Sequence, residues 1–335
     1  MRILVTGHTG FKGSWLVLML HNLGHEVHGY SLDPLPNGIF ERARISEICK
    51  SDFREDIRNK TSLDNAVQVI QPEIVFHLAA QSLVLTSYEQ IYETYSTNVT
   101  GTLNVLDSSN KSENLKGIVV ITTDKVYLND EKKRAFVESD VLGGKDPYSS
   151  SKALADQLTQ DWSMHNQGIP LAIARAGNVI GGGDVSANRL IPDIVSSIAK
   201  GELPQIRNPL SVRPWQHVMD CLNGYIALMD LVLSGRSGAF NFGPNEGDFH
   251  TVEEVTKYVL NLYGIKDWDK GQFSPNKEAG FLTLDSTKAI NELNWKNRIS
   301  FTEGLDLTVD WYKAAQTGAE MRDVTMKQIE KFQSA

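Results

Sequence analysis

Ile3-Leu4-Val5-Thr6-Gly7-His8-Thr9-Gly10-Phe11-Lys12-Gly13-Ser14-Trp15-Leu16-Val17-Leu18-Met19-Leu20 begins as an apolar run, turns through three glycines and resumes as a second apolar run that stops at Gly24. The pattern reads as strand, glycine turn and helix. Gly7, Gly10 and Gly13 let the backbone bend tightly and approach a pyrophosphate, whose charge the amides at the helix start would hold. The spacing is GxxGxxG rather than GxGxxG, and a turn of this kind is also built for structural reasons alone.

The next strand, Glu26-Val27-His28-Gly29-Tyr30, ends near Asp33, about twenty residues beyond Gly13, where a carboxylate binds an adenosine ribose. A negative charge there favours NAD over NADP, because it repels a 2′-phosphate. For Asp56-Ile57-Arg58 two readings stand side by side: a side chain laid against the adenine, or an exposed loop with a local ion pair. Ile74-Val75-Phe76-His77-Leu78 is a continuous apolar run of buried parallel-strand type, and the small residues Ala79 and Ala80 that follow would admit a cofactor. His77 inside that strand reads as core. Thr97-Asn98-Val99 opens a helical stretch to about Asn110, and further strands run from Ile118 to Ile121 and from Leu171 to Arg175. Strands alternating with helices predict an α/β fold, a Rossmann-like doubly wound parallel sheet with ligands at the carboxyl ends of its strands.

One such strand end carries the chemistry. Ile118-Val119-Val120-Ile121 breaks into Thr122-Thr123-Asp124-Lys125, and the chain later delivers Tyr148 and Lys152 one helical turn apart. They share a face, where an ammonium would lower the phenol's pKa toward the working pH. A bland reading of Asp124 and Lys125, an ion pair at a strand end, is weaker beside Tyr148 and Lys152 than it would be alone.

After Arg175 the alternation stops. Gly177, Gly181, Gly182 and Gly183 mark a loop, and a second, smaller region is expected to start near Gly177. The expected division is a cofactor domain over 1–176, completed by a segment near 212–240, and a C-terminal α/β substrate domain formed by 177–211 and 241–335. Arg189, Arg207 and Arg213 lie in loop contexts there, and forked guanidiniums suit a diphosphate. Helices are expected from Thr251 to Gly264 and from Phe301 to Ala315, with Trp311 and Tyr312 in the core. The polar tail beyond Gly318 is assigned no element.

Composition bounds the partners. The 335-residue chain is 41% hydrophobic with a formal net charge of −8, ordinary for a globular protein and unlike a general nucleic-acid binder, which needs a basic surface. Cys49 and Cys221 are the only cysteines, too few for a disulfide framework and without metal-ligand spacing. A reducing cytoplasm is the expected setting, with no metal. No apolar run approaches the roughly 18 residues of a membrane span, so no membrane partner is expected.

The strings GHTGFKGSWL (Gly7 to Leu16), HLAAQ (His77 to Gln81), TTDKVY (Thr122 to Tyr127), GGKDPYSSSK (Gly143 to Lys152), RAGNVIGGGD (Arg175 to Asp184), RLIPD (Arg189 to Asp193) and RPWQHV (Arg213 to Val218) carry a resemblance through nearly the whole chain. It resembles the extended short-chain dehydrogenase/reductases, and within them the CDP-glucose 4,6-dehydratases. The resemblance implies NAD as cofactor and a nucleotide sugar, CDP-glucose, as substrate. The implied reaction oxidises C4, eliminates water across C5 and C6, and returns the hydride to C6. It implies Tyr148 as base toward the C4 hydroxyl with Lys152 and Thr123, Asp124 as acid toward the C6 oxygen, and Lys125 as base toward C5. Gly7, His8, Thr9, Gly10, Phe11, Lys12, Gly13, Asp33, Asp56, Ile57, Leu78, Ala79, Ala80 and Asn98 would meet the cofactor. Gln81, Ser82, Asn178, Arg189, Leu190, Arg207, Arg213 and Glu278 would meet the substrate. A homodimer or dimer of dimers through helices flanking the Tyr148 segment is usual for the family.

Three places depart from the family pattern: Ser82 and Leu85 replace a proline and an arginine, Val126 replaces a cysteine, and Lys277 and Gly280 replace histidines flanking Glu278. The first and last bear on which nucleotide sugar is bound. A 4-epimerase needs the Tyr148–Lys152 chemistry but no acid and base for C5 and C6, so Asp124 and Lys125 argue against it. A non-catalytic NAD-binding regulator would be expected to lose the tyrosine–lysine pair.

Overall fold

The computed structural model describes residues 1–129, 134–166, 168–245, 247–270 and 280–334. Seven parallel strands form its main sheet: β1 (Arg2–Thr6), β2 (Glu26–Ser31), β3 (Ser51–Arg54), β4 (Ile74–His77), β5 (Gly117–Ile121), β6 (Leu171–Ala176) and β7 (Gly238–Phe242). Their spatial order is β7-β6-β5-β4-β1-β2-β3. Ile3 of β1 pairs with Val27 on one side and Ile74 on the other, so the order reverses between β1 and β4. That reversal opens a crevice beyond the strand ends, the usual ligand site of such sheets.

Alternation along the central strands places apolar side chains on both faces of the sheet, while the edge strand β3 is half-buried. Ile3, Val5, Ile74, Phe76, Val119 and Ile121 face one layer, while Leu4, Val75, Ile118, Val120, Leu171 and Ile173 face the other. The second layer is closed by α2 (Lys60–Ile70), α3 (Thr102–Ser109) and the partly buried Trp162 of α4 (Pro147–His165). The first is closed by α1 (Phe11–Asn22) and α6 (Val218–Leu233), with α5 (Leu190–Ala199) beyond them. That layer runs on without a break into α7 (Val252–Leu262) and α8 (Phe301–Gln316), where Trp311 and Tyr312 are buried as expected.

The tail departs from the sequence expectation. Met321–Ser334 forms α9, which buries Met321, Thr325, Ile329 and Phe332 on one face. Its polar composition hides the face because a core position is held by Thr325, whose hydroxyl accepts from Trp311 Nε1 at 2.9 Å. The stretch from Thr97 also differs: residues Ser96–Gly101 form a π-turn before α3 begins. No helix among the described residues is long and apolar enough to cross a membrane.

Candidate active site

The glycine turn joins β1 to α1 through atoms that leave no room for side chains. Gly7 has φ +75, and a methyl on it would lie 2.7 Å from Ala79 N; one on Gly13 would lie 2.1 Å from Gly7 O. Thr9 ties the turn to the end of β2 through Ser31 Oγ at 2.8 Å and Leu32 O at 3.0 Å. Gly10 offers α1 no side-chain cap and the first turn has no acid, so its amides suit an anion. Leu78 and Ala79 bond back to Thr6, which holds the end of β4 against the turn. This cradle fits a dinucleotide pyrophosphate.

The remaining cofactor candidates divide. Asp33 is exposed just past β2. His8 is buried under Gly29, with Nε2 2.8 Å from Asp52 Oδ1. Asp56 carries the local ion pair with Arg58 at 2.6 Å, and Ile57 is buried against Gly101. Phe11 reaches the loop at Gly181. Asn98 acts as a clamp: its Oδ1 accepts from Gln81 N at 2.8 Å, and its Nδ2 donates to Gln81 O and to Ser151 Oγ. Gln81 also donates to Thr94, and because Ser151 stands on α4, Asn98 ties the segment containing Ala80 to that helix. Lys12 is half-buried, and its Nζ donates to Tyr225 Oη on α6 at 3.1 Å.

Asp146 caps α4, accepting from Ser149 N at 2.9 Å, with Pro147 at the first helical position. This start sets Tyr148 and Lys152 on one buried face, 8% and 6% exposed. The expected lowering of the phenol by Lys152 is not what the structure shows. Burial pushes Tyr148 up to about 12, opposed by a hydrogen bond with Thr123, while Asp124 raises it further. Lys152 Nζ donates instead to Ile121 O at 2.8 Å, and burial, then the charge of Lys12, bring it down to about 8. Desolvation outweighs the neighbouring charge here.

Asp124, at the end of β5, is 2% exposed. Its Oδ1 accepts from Thr123 Oγ1 at 2.8 Å, and its Oδ2 has no partner. Burial raises its pKa, against Lys125, Thr123 and Arg213, which lower it. A buried carboxyl biased toward its acid form, with one oxygen free, is suited to donating a proton. Lys125 beside it is half-buried.

The substrate candidates lie around this group. Arg213 is buried and donates to Val212 O at 3.0 Å. Arg189 reaches Asp184 at 3.3 Å and Ser82 Oγ at 3.2 Å, so Ser82, a departure from the family pattern, orients an arginine. Leu190 is half-buried at the start of α5, Asn178 O accepts from Gln216 N, and exposed Arg207 donates to Asn188 at 3.4 Å. Glu278 and Lys277 lie outside the described residues.

Sequence reasoning missed Asp156 and Tyr225. Asp156, one turn past Lys152, accepts Arg175 Nε and Nη2 at 2.8 and 2.7 Å and Thr122 Oγ1 at 2.9 Å. Its signal was the continued four-residue spacing from Tyr148 through Lys152. Tyr225 had none, since only the fold brings it to Lys12. Among the described residues no cluster fit to hold a metal is found.

The profile of the family described as GDP-mannose 4,6 dehydratase matches residues 4–308. The chain is 42% identical to a CDP-glucose 4,6-dehydratase of Salmonella typhimurium, covering 100% of this chain and 96% of that one. It is 30% identical to a probable dTDP-glucose 4,6-dehydratase of Sinorhizobium fredii, over 93% of each. A dTDP-glucose 4,6-dehydratase from Streptomyces venezuelae, crystallised with NAD, superposes with a TM-score of 0.83 at 25% identity, covering 96% of this chain and all 100% of that one. With sequence, sheet order and crevice agreeing, the chain belongs to the GDP-mannose 4,6-dehydratase family of nucleotide-sugar enzymes, within the extended short-chain dehydrogenase/reductases.

Proposed function

We propose that this chain is an NAD-dependent 4,6-dehydratase of a nucleotide-activated hexose, with CDP-glucose as its substrate. The observation that carries the reading is Asp124, a buried acid beside Tyr148 with one carboxyl oxygen unpartnered. A 4-epimerase has no use for such an acid. The relative acting on CDP-glucose, at 42% identity over the whole chain, supports the base and sugar.

NAD, held by the glycine turn, supplies reversible two-electron oxidation. Tyr148 takes the proton of the C4 hydroxyl, with Thr123 hydrogen-bonded to the phenol and Lys152 one turn along α4 to carry charge. The ketone formed at C4 acidifies C5, so the weak base Lys125 is enough to remove that proton. Asp124 gives its proton to the C6 oxygen, which leaves as water. Asn178, Arg189, Arg207 and Arg213 neutralise the diphosphate, with Gln81, Ser82 and Leu190 lining the sugar side and Glu278 assigned with them. Residues 1–176 and 212–240 then serve the cofactor, and 177–211 and 241–335 the nucleotide sugar.

A homodimer is part of this reading. The helices beside the Tyr148 segment leave Ile91 and Tyr92 53% and 77% exposed, with Leu103 and Leu154 also exposed, an apolar set that a second copy would cover. The two free cysteines fit a reducing cytoplasm.

Incubating the purified protein with CDP-glucose, and separately with dTDP-, UDP- and GDP-sugars, tests the reading through the absorbance of the 4-keto sugar in base. Product from CDP-glucose supports it. Product only from another nucleotide sugar rejects the substrate, and 4-epimer without keto sugar rejects the dehydration.

A further inference from the structure

The short turn Asp124–Val126, which carries the acid and the base assigned to the elimination, has little of its own to hold it. It is a single 3₁₀ turn capped by Thr123, with Lys125 N donating to Thr123 Oγ1 at 3.4 Å and Val126 N to Thr123 O at 3.3 Å, both long for hydrogen bonds. Main-chain bonds anchor it on either side, from Thr122 N to Ala174 O at 2.8 Å and from Gly143 N to Val126 O at 2.8 Å. Neither of these bonds reaches α4, where Tyr148 and Lys152 stand. A site divided between a strand end and a helix needs the two held in register, and pairing within the sheet does not supply that.

One buried couple meets both flanks of the turn. Arg175 on β6 and Asp156 on α4 are 1% and 0% exposed, and Arg175 Nε and Nη2 donate to the two carboxylate oxygens at 2.8 and 2.7 Å. On the entry side Thr122 Oγ1 donates to Asp156 Oδ2 at 2.9 Å. On the exit side Arg175 Nη1 donates to Tyr127 Oη at 3.0 Å, and that phenol donates to Asn241 Oδ1 on β7 at 2.6 Å. Lys152, one turn earlier on α4, donates to Ile121 O at 2.8 Å, so successive turns of this helix grip successive residues at the end of β5. A buried ion pair carries a desolvation cost, and apolar residues of the same volume often pack as well or better, so stability alone does not account for the choice. Its partners do: Thr122 and Tyr127 bracket the stretch from Thr123 to Val126, which holds the acid and the base.

We propose that Asp156 and Arg175 are positioning residues for the elimination: as one couple they clamp Thr122 and Tyr127 and hold the turn bearing Asp124 and Lys125 in register with Tyr148 on α4. The inference rests on the roles given above to Asp124 and Lys125. The clamp acts through geometry alone. The acid and the base must stand within hydrogen-bond reach of the C6 oxygen and the C5 proton, and a misplacement of about 1 Å slows such a step on the order of 100-fold. Oxidation at C4 uses Tyr148 and Lys152, which α4 and the bond to Ile121 O hold without the clamp. Loosening the clamp therefore slows the elimination more than the oxidation.

Single turnovers with CDP-glucose read the two stages: the rise of reduced nicotinamide absorbance reports the oxidation, and its decay with the appearance of keto sugar reports the elimination. Thr122→Val keeps the shape of the side chain without its donor, and is expected to form reduced cofactor at nearly the native rate and to hold it about tenfold longer. Thr122→Ser, which restores the hydroxyl, is expected to return that lifetime toward the native value. Tyr127→Phe frees the exit side and should lengthen the lifetime in the same direction. Arg175→Met releases both sides and should lengthen it most, and the two milder variants keep the test open if this one folds poorly. A lower denaturant midpoint with an unchanged ratio of the two stages in Thr122→Val and Tyr127→Phe overturns the proposal, as does a serine variant no closer to native than the valine. Asp124→Asn, run alongside, separates the two levels: if it is fully active the acid role itself is wrong, and if it stalls with reduced cofactor while Thr122→Val and Tyr127→Phe keep the native ratio, only the clamp falls.

Discussion

Replacing Gly177 by alanine would disturb the elimination chemistry without altering any reacting group. A methyl at this position would lie 2.4 Å from Pro214 Cγ and 3.1 Å from Asp124 Oδ2. Carbon atoms rest about 3.5–4 Å apart, so the overlap with Pro214 is roughly 1 Å, while the oxygen must give by a few tenths. Overpacking of this size costs about 1–3 kcal/mol of stability. Relief must come from the strand end, from Pro214 or from Asp124, and the free oxygen of Asp124 is the atom with no hydrogen bond to hold it. Displacement of an acid by up to 1 Å slows its step on the order of 10- to 100-fold. Tyr148 and Lys152 stand on α4, outside the overlap, so oxidation at C4 should survive. Stopped-flow absorbance of the reduced nicotinamide, paired with quenched assays of keto sugar, reads the two stages separately. Gly177→Ala is expected to form reduced cofactor at nearly the native rate and to hold it longer before water is lost. Equal slowing of both stages would refute the assignment of Asp124 to the elimination alone.

Tyr148→Phe is expected to abolish the first oxidation, so that no reduced cofactor appears even transiently in a single turnover. Asp124→Asn should oxidise C4 and stall before water loss, seen as reduced cofactor that accumulates with substrate. Arg175→Met leaves Asp156 buried without its bidentate partner, and breaking a buried pair costs about 3–5 kcal/mol, read as a lower denaturant midpoint.

Five strands of the parallel sheet were legible in the sequence because most of them are apolar on both faces and the first turn leaves only glycine any room; Ser51–Arg54, polar and half-buried at the sheet edge, and Gly238–Phe242, distant in sequence from its neighbour β6, were not expected. Thr123, Asp124, Tyr148 and Lys152 were legible for a similar reason: strand end and helix start are local signals, and the sheet brings them together. What was not legible was the direction of the Tyr148 shift. Spacing places an ammonium near a phenol, but the depth of burial, which decides the balance, is a property of the whole packing. Tyr225 lies 213 residues from Lys12 and enters the site only through the contact between α1 and α6. Helix α9 was hidden because its polar residues outnumber the few that it buries, and one of those few is a threonine.

The unpartnered Oδ2 of Asp124 has a consequence for what happens after the reaction. In the proposed substrate the C6 hydroxyl can pair with that oxygen; in the 6-deoxy product the same carbon is a methyl group, which offers no hydrogen bond. A buried polar atom that loses its partner costs about 1–3 kcal/mol. The site thus grips the sugar through the very group that it removes, and its hold slackens once the group is gone, so turnover carries its own bias toward release.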